Sequence, residues 1–173
     1  KLHDAVTQRL PEVNTEQSDM NTDIFRQYDI RGIAATDLKD EVIENLGRAF
    51  GTKAIRTMGK AVHVGVGRDM RTSSERLFAA LERGLRSAGA HVVDLGMVPT
   101  PLVYFAKFTS DIYACIMITG SHNPGEYNGF KMMVGKDTLH GEGIQELREL
   151  IETNDFETGE GDRSAVSNLL EDY

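Results

Sequence analysis

The stretch IMITGSHNPGEYNGFKMMV, Ile116 to Val134, decides how this chain is read. It continues the apolar, β-branched run that starts at Ile112, which reads as a buried strand ending near Thr119. Gly120, Ser121, His122, Asn123 and Pro124 follow, and residues of these types force a tight turn. A second strand-like run, Gly129 to Val134, then pairs plausibly with the first. A serine with a histidine beside it is therefore presented at the exposed end of a strand. Lys131 lies ten residues after Ser121, on the returning strand. That arrangement suits a hydroxyl that is phosphorylated, with a cation near the resulting charge.

Working outward, strands alternate with helices. Leu38 to Arg56 places Leu38, Val42, Ile43, Leu46, Ala49, Phe50 and Ile55 at helical spacing, with Asp37 as the expected N-cap. Ala61 to Gly67 reads as a buried strand. Ser74 to Ala88 reads as a helix capped by Thr72 or Ser73 and stopped by Gly89. His91 to Leu95 is a further strand, Pro99 and Pro101 precede a helical Leu102 to Phe108, and Glu142 to Thr153 forms a last helix. Ile24 to Ile30 is a strand or turn entry into Arg31-Gly32. This alternation predicts an α/β fold, a three-layer α/β/α sandwich with a mixed, mainly parallel sheet. Ligands of such sheets sit beyond the carboxyl ends of the strands, where the Gly120–Pro124 loop falls. Residues 1–22, polar and interrupted by Pro11, read as a flexible lead-in. Residues 23–155 read as the domain, and residues 156–173 as a connector toward a second domain. Because the chain starts at Lys1 rather than Met, it reads as a processed, tagged or excised piece.

The composition, 40% hydrophobic over 173 residues, supports one ordinary core. With 27 acidic and 19 basic side chains the formal charge is −8, which argues against nucleic acid or an anionic membrane as partner. No window approaches the roughly 18 apolar residues of a membrane span, and no signal peptide is present, so a cytoplasmic location is expected. Cys115, the single cysteine, lies inside an apolar run and reads as a core residue.

Other motifs are weaker. Gly65-Val66-Gly67 lacks the third glycine of a dinucleotide site, since position 70 is Met70, and reads as a tight turn after a strand. Ser121 and His122 fail as a hydrolase pair, because adjacent residues point apart and position 123 is Asn123 rather than the glycine of GxSxG. The five histidines lack metal-ligand spacing: His63 and His91 read as strand residues, His3 and His140 as surface. Glu160 to Arg163 offers too few acids for a divalent cation and reads as solvated connector.

Tyr28-Asp29-Ile30-Arg31-Gly32, Gly67-Arg68-Asp69, Gly96-Met97-Val98-Pro99-Thr100-Pro101, Thr119 to Pro124 and Tyr127-Asn128-Gly129-Phe130-Lys131 occur in one order. Together, from about Ile24 to Tyr173, they make the chain resemble the first domain of the α-D-phosphohexomutases, most closely the bacterial phosphomannomutase/phosphoglucomutase branch. The resemblance implies that Ser121 is phosphorylated and donates its phosphoryl group to a hexose monophosphate, mannose and/or glucose. A bisphosphate then forms, turns over and returns its other phosphate. It implies that His122 and Lys131 assist proton transfer or hold phosphate. Tyr28 and Arg31 would face the phosphoserine, and Asn123 would keep the loop shape. It also implies Mg²⁺ bound to an oxygen of phosphorylated Ser121, and glucose 1,6-bisphosphate as activator. The family's remaining three domains, II–IV, have no counterpart here, so the chain is expected to be a partial enzyme, inactive alone. The alternative is a non-catalytic phosphosugar-binding or assembly module that retains the loop.

Overall fold

In the computed structural model, which describes residues 19–173, seven strands form one sheet in the order β1-β5-β4-β2-β3-β7, with β6 paired to β5. They are β1 (Ile30–Ile33), β2 (His63–Arg68), β3 (His91–Met97), β4 (Ile112–Ile118), β5 (Tyr127–Val134), β6 (Asp137–Thr138) and β7 (Arg163–Ala165). β4, β2, β3 and β7 pair in parallel, while β5 is antiparallel to β1, β4 and β6. Only β5 therefore runs against the rest, and the sheet is mixed but mainly parallel, as expected.

Two apolar layers cover it. Ala114, Ile116 and Ile118 of β4 face a core shared with α1 (Asp40–Met58), α2 (Ser74–Ser87) and α4 (Glu142–Glu152). The alternate residues Cys115 and Met117 face α3 (Thr100–Thr109) and Leu169 of the short α5 (Leu169–Asp172). Strand periodicity of two sends successive side chains to opposite layers, which is why β4 has to be apolar throughout. Helices α1 and α2 approach closely because Gly84 lacks a side chain: a Cβ there would overlap the Glu44 carbonyl oxygen and lie 2.9 Å from Arg48 N.

Several local expectations need correction. Asp37 does not cap α1. Its carboxylate accepts from Ile33 N (2.8 Å) and Asn21 Nδ2 (3.1 Å), and Lys39 stands at the cap without a side-chain bond. Ser73 occupies the α2 cap position, but its Oγ accepts from Asn128 Nδ2 (2.9 Å) instead of capping. Gly65-Val66-Gly67 is not a turn. It lies inside β2, where the absence of a side chain at Gly67 leaves room for Val103 and Val98. Pro101 sits in the first turn of α3, where a missing N–H is harmless, rather than before the helix. Beyond Thr153 the chain adds β7 to the sheet edge, and Arg163 pairs with Asp94 (3.1 Å) and Glu82 (3.4 Å) rather than being solvated alone. Of the lead-in, residues 1–18, including His3 and Pro11, lie outside the described residues. Thr22–Ile24 form a 3-10 turn capped by Asn21.

Candidate active site

The loop between β4 and β5 is closed by its own backbone. Thr119 N donates to Gly129 O (2.9 Å), Asn123 N to Gly120 O (3.0 Å) and Tyr127 N to Pro124 O (3.0 Å). The Asn123 side chain adds a bond from Nδ2 to Gly120 O (3.1 Å). Ser121 has φ 53°, in the left-handed region, and its amide donates to Thr119 Oγ1 (3.0 Å). For a residue with a side chain that conformation costs about 1–3 kcal/mol, and it persists only where surroundings enforce it. The strained residue is the exposed, hydroxyl-bearing one.

Two charged residues beyond the carboxyl end of β2 supply the enforcement. Asp69 accepts from Gly120 N (3.0 Å) with one oxygen, and from Ser74 Oγ (2.6 Å) and Arg71 N (3.1 Å) with the other. Burial alone would raise its carboxyl. The hydrogen bonds from Ser74, Arg71, Gly120 and Thr119 outweigh that and hold it below the usual carboxylate range. Arg71 donates to four loop carbonyls. Beneath them Asn128, fully buried, donates to Ser73 and Ser74 and accepts from Gly129 N, tying β5 to the start of α2. In the sequence Asp69 stands inside Gly67-Arg68-Asp69, while Arg71 belongs to no motif. The available signal was their place just past the end of a parallel strand.

All six residues singled out from the sequence, Ser121, His122, Asn123, Lys131, Arg31 and Tyr28, line one open depression of about 550 Å³. The register explains why. Arg31 lies opposite Gly129, and Lys131, two residues on, lies opposite Met117, so both side chains leave the α3 face of the sheet. Lys131 is half-buried and makes no ion pair with any described residue. Arg31 is 5% exposed; its Nη1 donates to Gly120 O (2.6 Å), and its Nε and Nη2 hold Asp29 Oδ2. His122 is exposed, and Tyr28 stands at the rim, 74% exposed. Arg26, Asp29, Tyr104 and Thr138 complete the lining, which thus carries three fixed cations against one carboxylate in a chain of charge −8. Such a local field favours an anion.

A divalent cation fits these residues poorly. Among the described residues no group of three or more His, Cys, Asp or Glu is arranged to hold a metal. Asp29, the one carboxylate of the depression, is taken by Arg31. Mg²⁺ demands six oxygens, so a site here would be built mostly from groups other than these.

The family described as phosphoglucomutase/phosphomannomutase, alpha/beta/alpha domain I, matches residues 22–158. The phosphoglucomutase of Neisseria gonorrhoeae is 46% identical over 134 residues, covering 78% of this chain and 29% of that protein. The phosphomannomutase/phosphoglucomutase of Pseudomonas aeruginosa is 45% identical over 146 residues, 84% of this chain and 31% of that one. The crystal structure of a phosphoglucomutase/phosphomannomutase family protein from Burkholderia thailandensis superposes with a TM-score of 0.80 at 42% identity, over 86% of this chain and 34% of its own. The chain spans about a third of the length of these relatives. The sheet order, the anion-favouring depression and these matches agree: the chain belongs to the phosphoglucomutase/phosphomannomutase family, and residues 22–158 are its α/β/α domain I.

Proposed function

We propose that this domain carries the phosphoryl group of a phosphohexomutase, with Ser121 as the carrier, in an enzyme interconverting hexose 1-phosphate and hexose 6-phosphate. In the first half-reaction the bond from phosphorus to Ser121 Oγ breaks as a bond forms to a free hydroxyl oxygen of the hexose monophosphate. The hydroxyl's proton passes to a base at the site, and Ser121 Oγ takes up a proton. The resulting hexose bisphosphate reorients, and its other phosphate returns to Ser121 by the same steps reversed. His122 serves as proton carrier beside the serine. Lys131 and Arg31 oppose the charge spread over the transferring oxygens, and Tyr28 holds the phosphate from the rim. Little covalent chemistry is asked of the protein in phosphoryl transfer; positioning and charge stabilisation supply the rate. Glucose 1,6-bisphosphate is the activator, since it can phosphorylate a bare serine. Mg²⁺, when bound, would supply positive charge at the phosphoryl group on Ser121, with its remaining ligands coming from the second domain of the enzyme.

The observation that carries this reading is one exposed serine, held in a left-handed loop conformation at the mouth of a depression shared with Lys131 and Arg31. A cytoplasmic location and inactivity of the chain on its own, for want of domains II–IV, belong to the same proposal. The test is a chimera in which this chain replaces the matching third of the Pseudomonas aeruginosa relative. Hexose 1-phosphate conversion that disappears in the Ser121→Ala chimera, with unchanged circular dichroism and melting, supports the proposal. Conversion that survives the substitution, or a well-folded but inert parent chimera, contradicts it. The same conversion assay on the 173-residue chain alone should show no turnover.

A further inference from the structure

A phosphoserine carries about −1.5 to −2 charges near neutral pH, so any carbonyl oxygen aimed at it is repulsive. The loop that bears Ser121 avoids this by turning its carbonyls onto two guanidinium groups. Arg71 Nη1 donates to Pro124 O (2.5 Å) and Tyr127 O (2.9 Å), and Nη2 to Asn123 O (2.6 Å) and Ser121 O (3.2 Å). Its Nε lies 3.4 Å from Asp69 Oδ2. A guanidinium has five N–H donors in a fixed plane; here the four on Nη1 and Nη2 bind loop carbonyls, and Nε faces the Asp69 carboxylate. The carbonyl of Gly120 goes to Arg31 Nη1 instead. Gly120 itself lies flat against Arg71, and a Cβ at that position would overlap the guanidinium carbon. Since φ of Gly120 is not positive, what glycine supplies there is room.

We propose that Arg71 is a positioning residue for phosphoryl transfer. It gathers the carbonyls of residues 121, 123, 124 and 127 on its guanidinium, which holds Ser121 in its left-handed conformation and keeps those four dipoles off the phosphoryl group. The inference rests on Ser121 being the phosphoryl carrier. It also accounts for the residue type. Four oxygens shared two by two between Nη1 and Nη2 match a planar fork, whereas the three donors of an ammonium radiate from one point.

Amide hydrogen exchange on the 173-residue chain tests it. In Arg71→Met the amides of Asn123 and Tyr127 should exchange about 10-fold faster or more, with those of β2 and β4 unchanged. Arg71→Lys should behave like Arg71→Met, which separates geometry from charge. Millimolar guanidinium chloride should restore slow exchange in Arg71→Met but not in Gly120→Ala, where the methyl occupies the guanidinium's place. In parallel, in the chimera, phosphorylation by glucose 1,6-bisphosphate, followed by intact mass, should lose on the order of 100-fold in maximal rate with half-saturation unchanged. Guanidinium should recover that loss too. Unchanged loop exchange in Arg71→Met, lysine performing as well as arginine, or no response to guanidinium overturns the proposal. If the unsubstituted chimera takes up no phosphate while the exchange pattern holds, the carrier reading falls and the template role of Arg71 stands.

Discussion

Replacing Asp69 by Asn probes the loop's second support with almost no change of shape. The native carboxylate accepts from Gly120 N, Arg71 N and Ser74 Oγ, and its side chain is 21% exposed. An amide keeps one acceptor oxygen and puts an NH₂ where the other stood, so at least one of those donors faces another donor. An unsatisfied buried donor costs about 1–3 kcal/mol. Loss of the partly exposed attraction to Arg71 adds about 0–1 kcal/mol. Together about 3 kcal/mol should be lost at pH 7, a fall in Tm of roughly 6–12 °C for a domain of this size. The chain has no tryptophan, so urea and thermal unfolding are followed by far-ultraviolet circular dichroism. The sign of the pH dependence follows from the depressed carboxyl. Its stabilisation is fully present above the ordinary value of 3.8 and is lost as pH falls through the lower folded value. Asparagine does not titrate, so the gap between the two proteins should be widest at neutral pH and narrow as acid protonates the folded carboxyl. A gap under about 1 kcal/mol at pH 7, or one that pH leaves unchanged, would refute the role assigned to Asp69.

Lys131→Met should slow phosphoryl transfer on the order of 100-fold, measured by the phosphorylation rate of Ser121. Urea unfolding should move by less than about 1 kcal/mol, because the ammonium makes no ion pair with any described residue. Gly84→Ala sets two effects against each other. Alanine gains about 1 kcal/mol of helix propensity over glycine. Forcing a methyl onto the Glu44 carbonyl of α1 costs about 1–3 kcal/mol or more, so net destabilisation is expected in urea unfolding. Cys115, 1% exposed, has its thiol pushed up to about 12 by burial. It should resist a thiol reagent in the folded chain at pH 8 and react promptly once urea unfolds it.

The parts of the molecule legible in the sequence are those fixed by local pattern. The apolar run from Ile112 became β4, which ends at Ile118, one residue short of Thr119, and the turn-forming residues after it built the loop. Lys131 joined Ser121 in one depression because both flank a single β4–β5 pairing. What stayed hidden depends on partners distant in sequence. Arg71 looks like a surface charge until β2 and β4 are seen as neighbours, Gly67 beside Met117, which brings residue 71 under residues 121–127. Asp37 and Ser73 carry good capping chemistry, yet Ile33 and Asn128 offered their side chains other bonds. β7 has three exposed residues and no apolar alternation. It exists because the edge of β3 accepts it and Arg163 reaches Asp94 and Glu82, neither of which a window around residue 164 contains.

The most direct measurement is where phosphate lands. The chimera with the Pseudomonas aeruginosa relative is incubated with glucose 1,6-bisphosphate, digested, and its phosphopeptides are sequenced by tandem mass spectrometry beside its Ser121→Ala form. The account predicts a single phosphate, on the peptide containing Ser121 and assigned to that residue, and none on the substituted chain. Phosphate on another residue, uptake unchanged in Ser121→Ala, or none at all contradicts it.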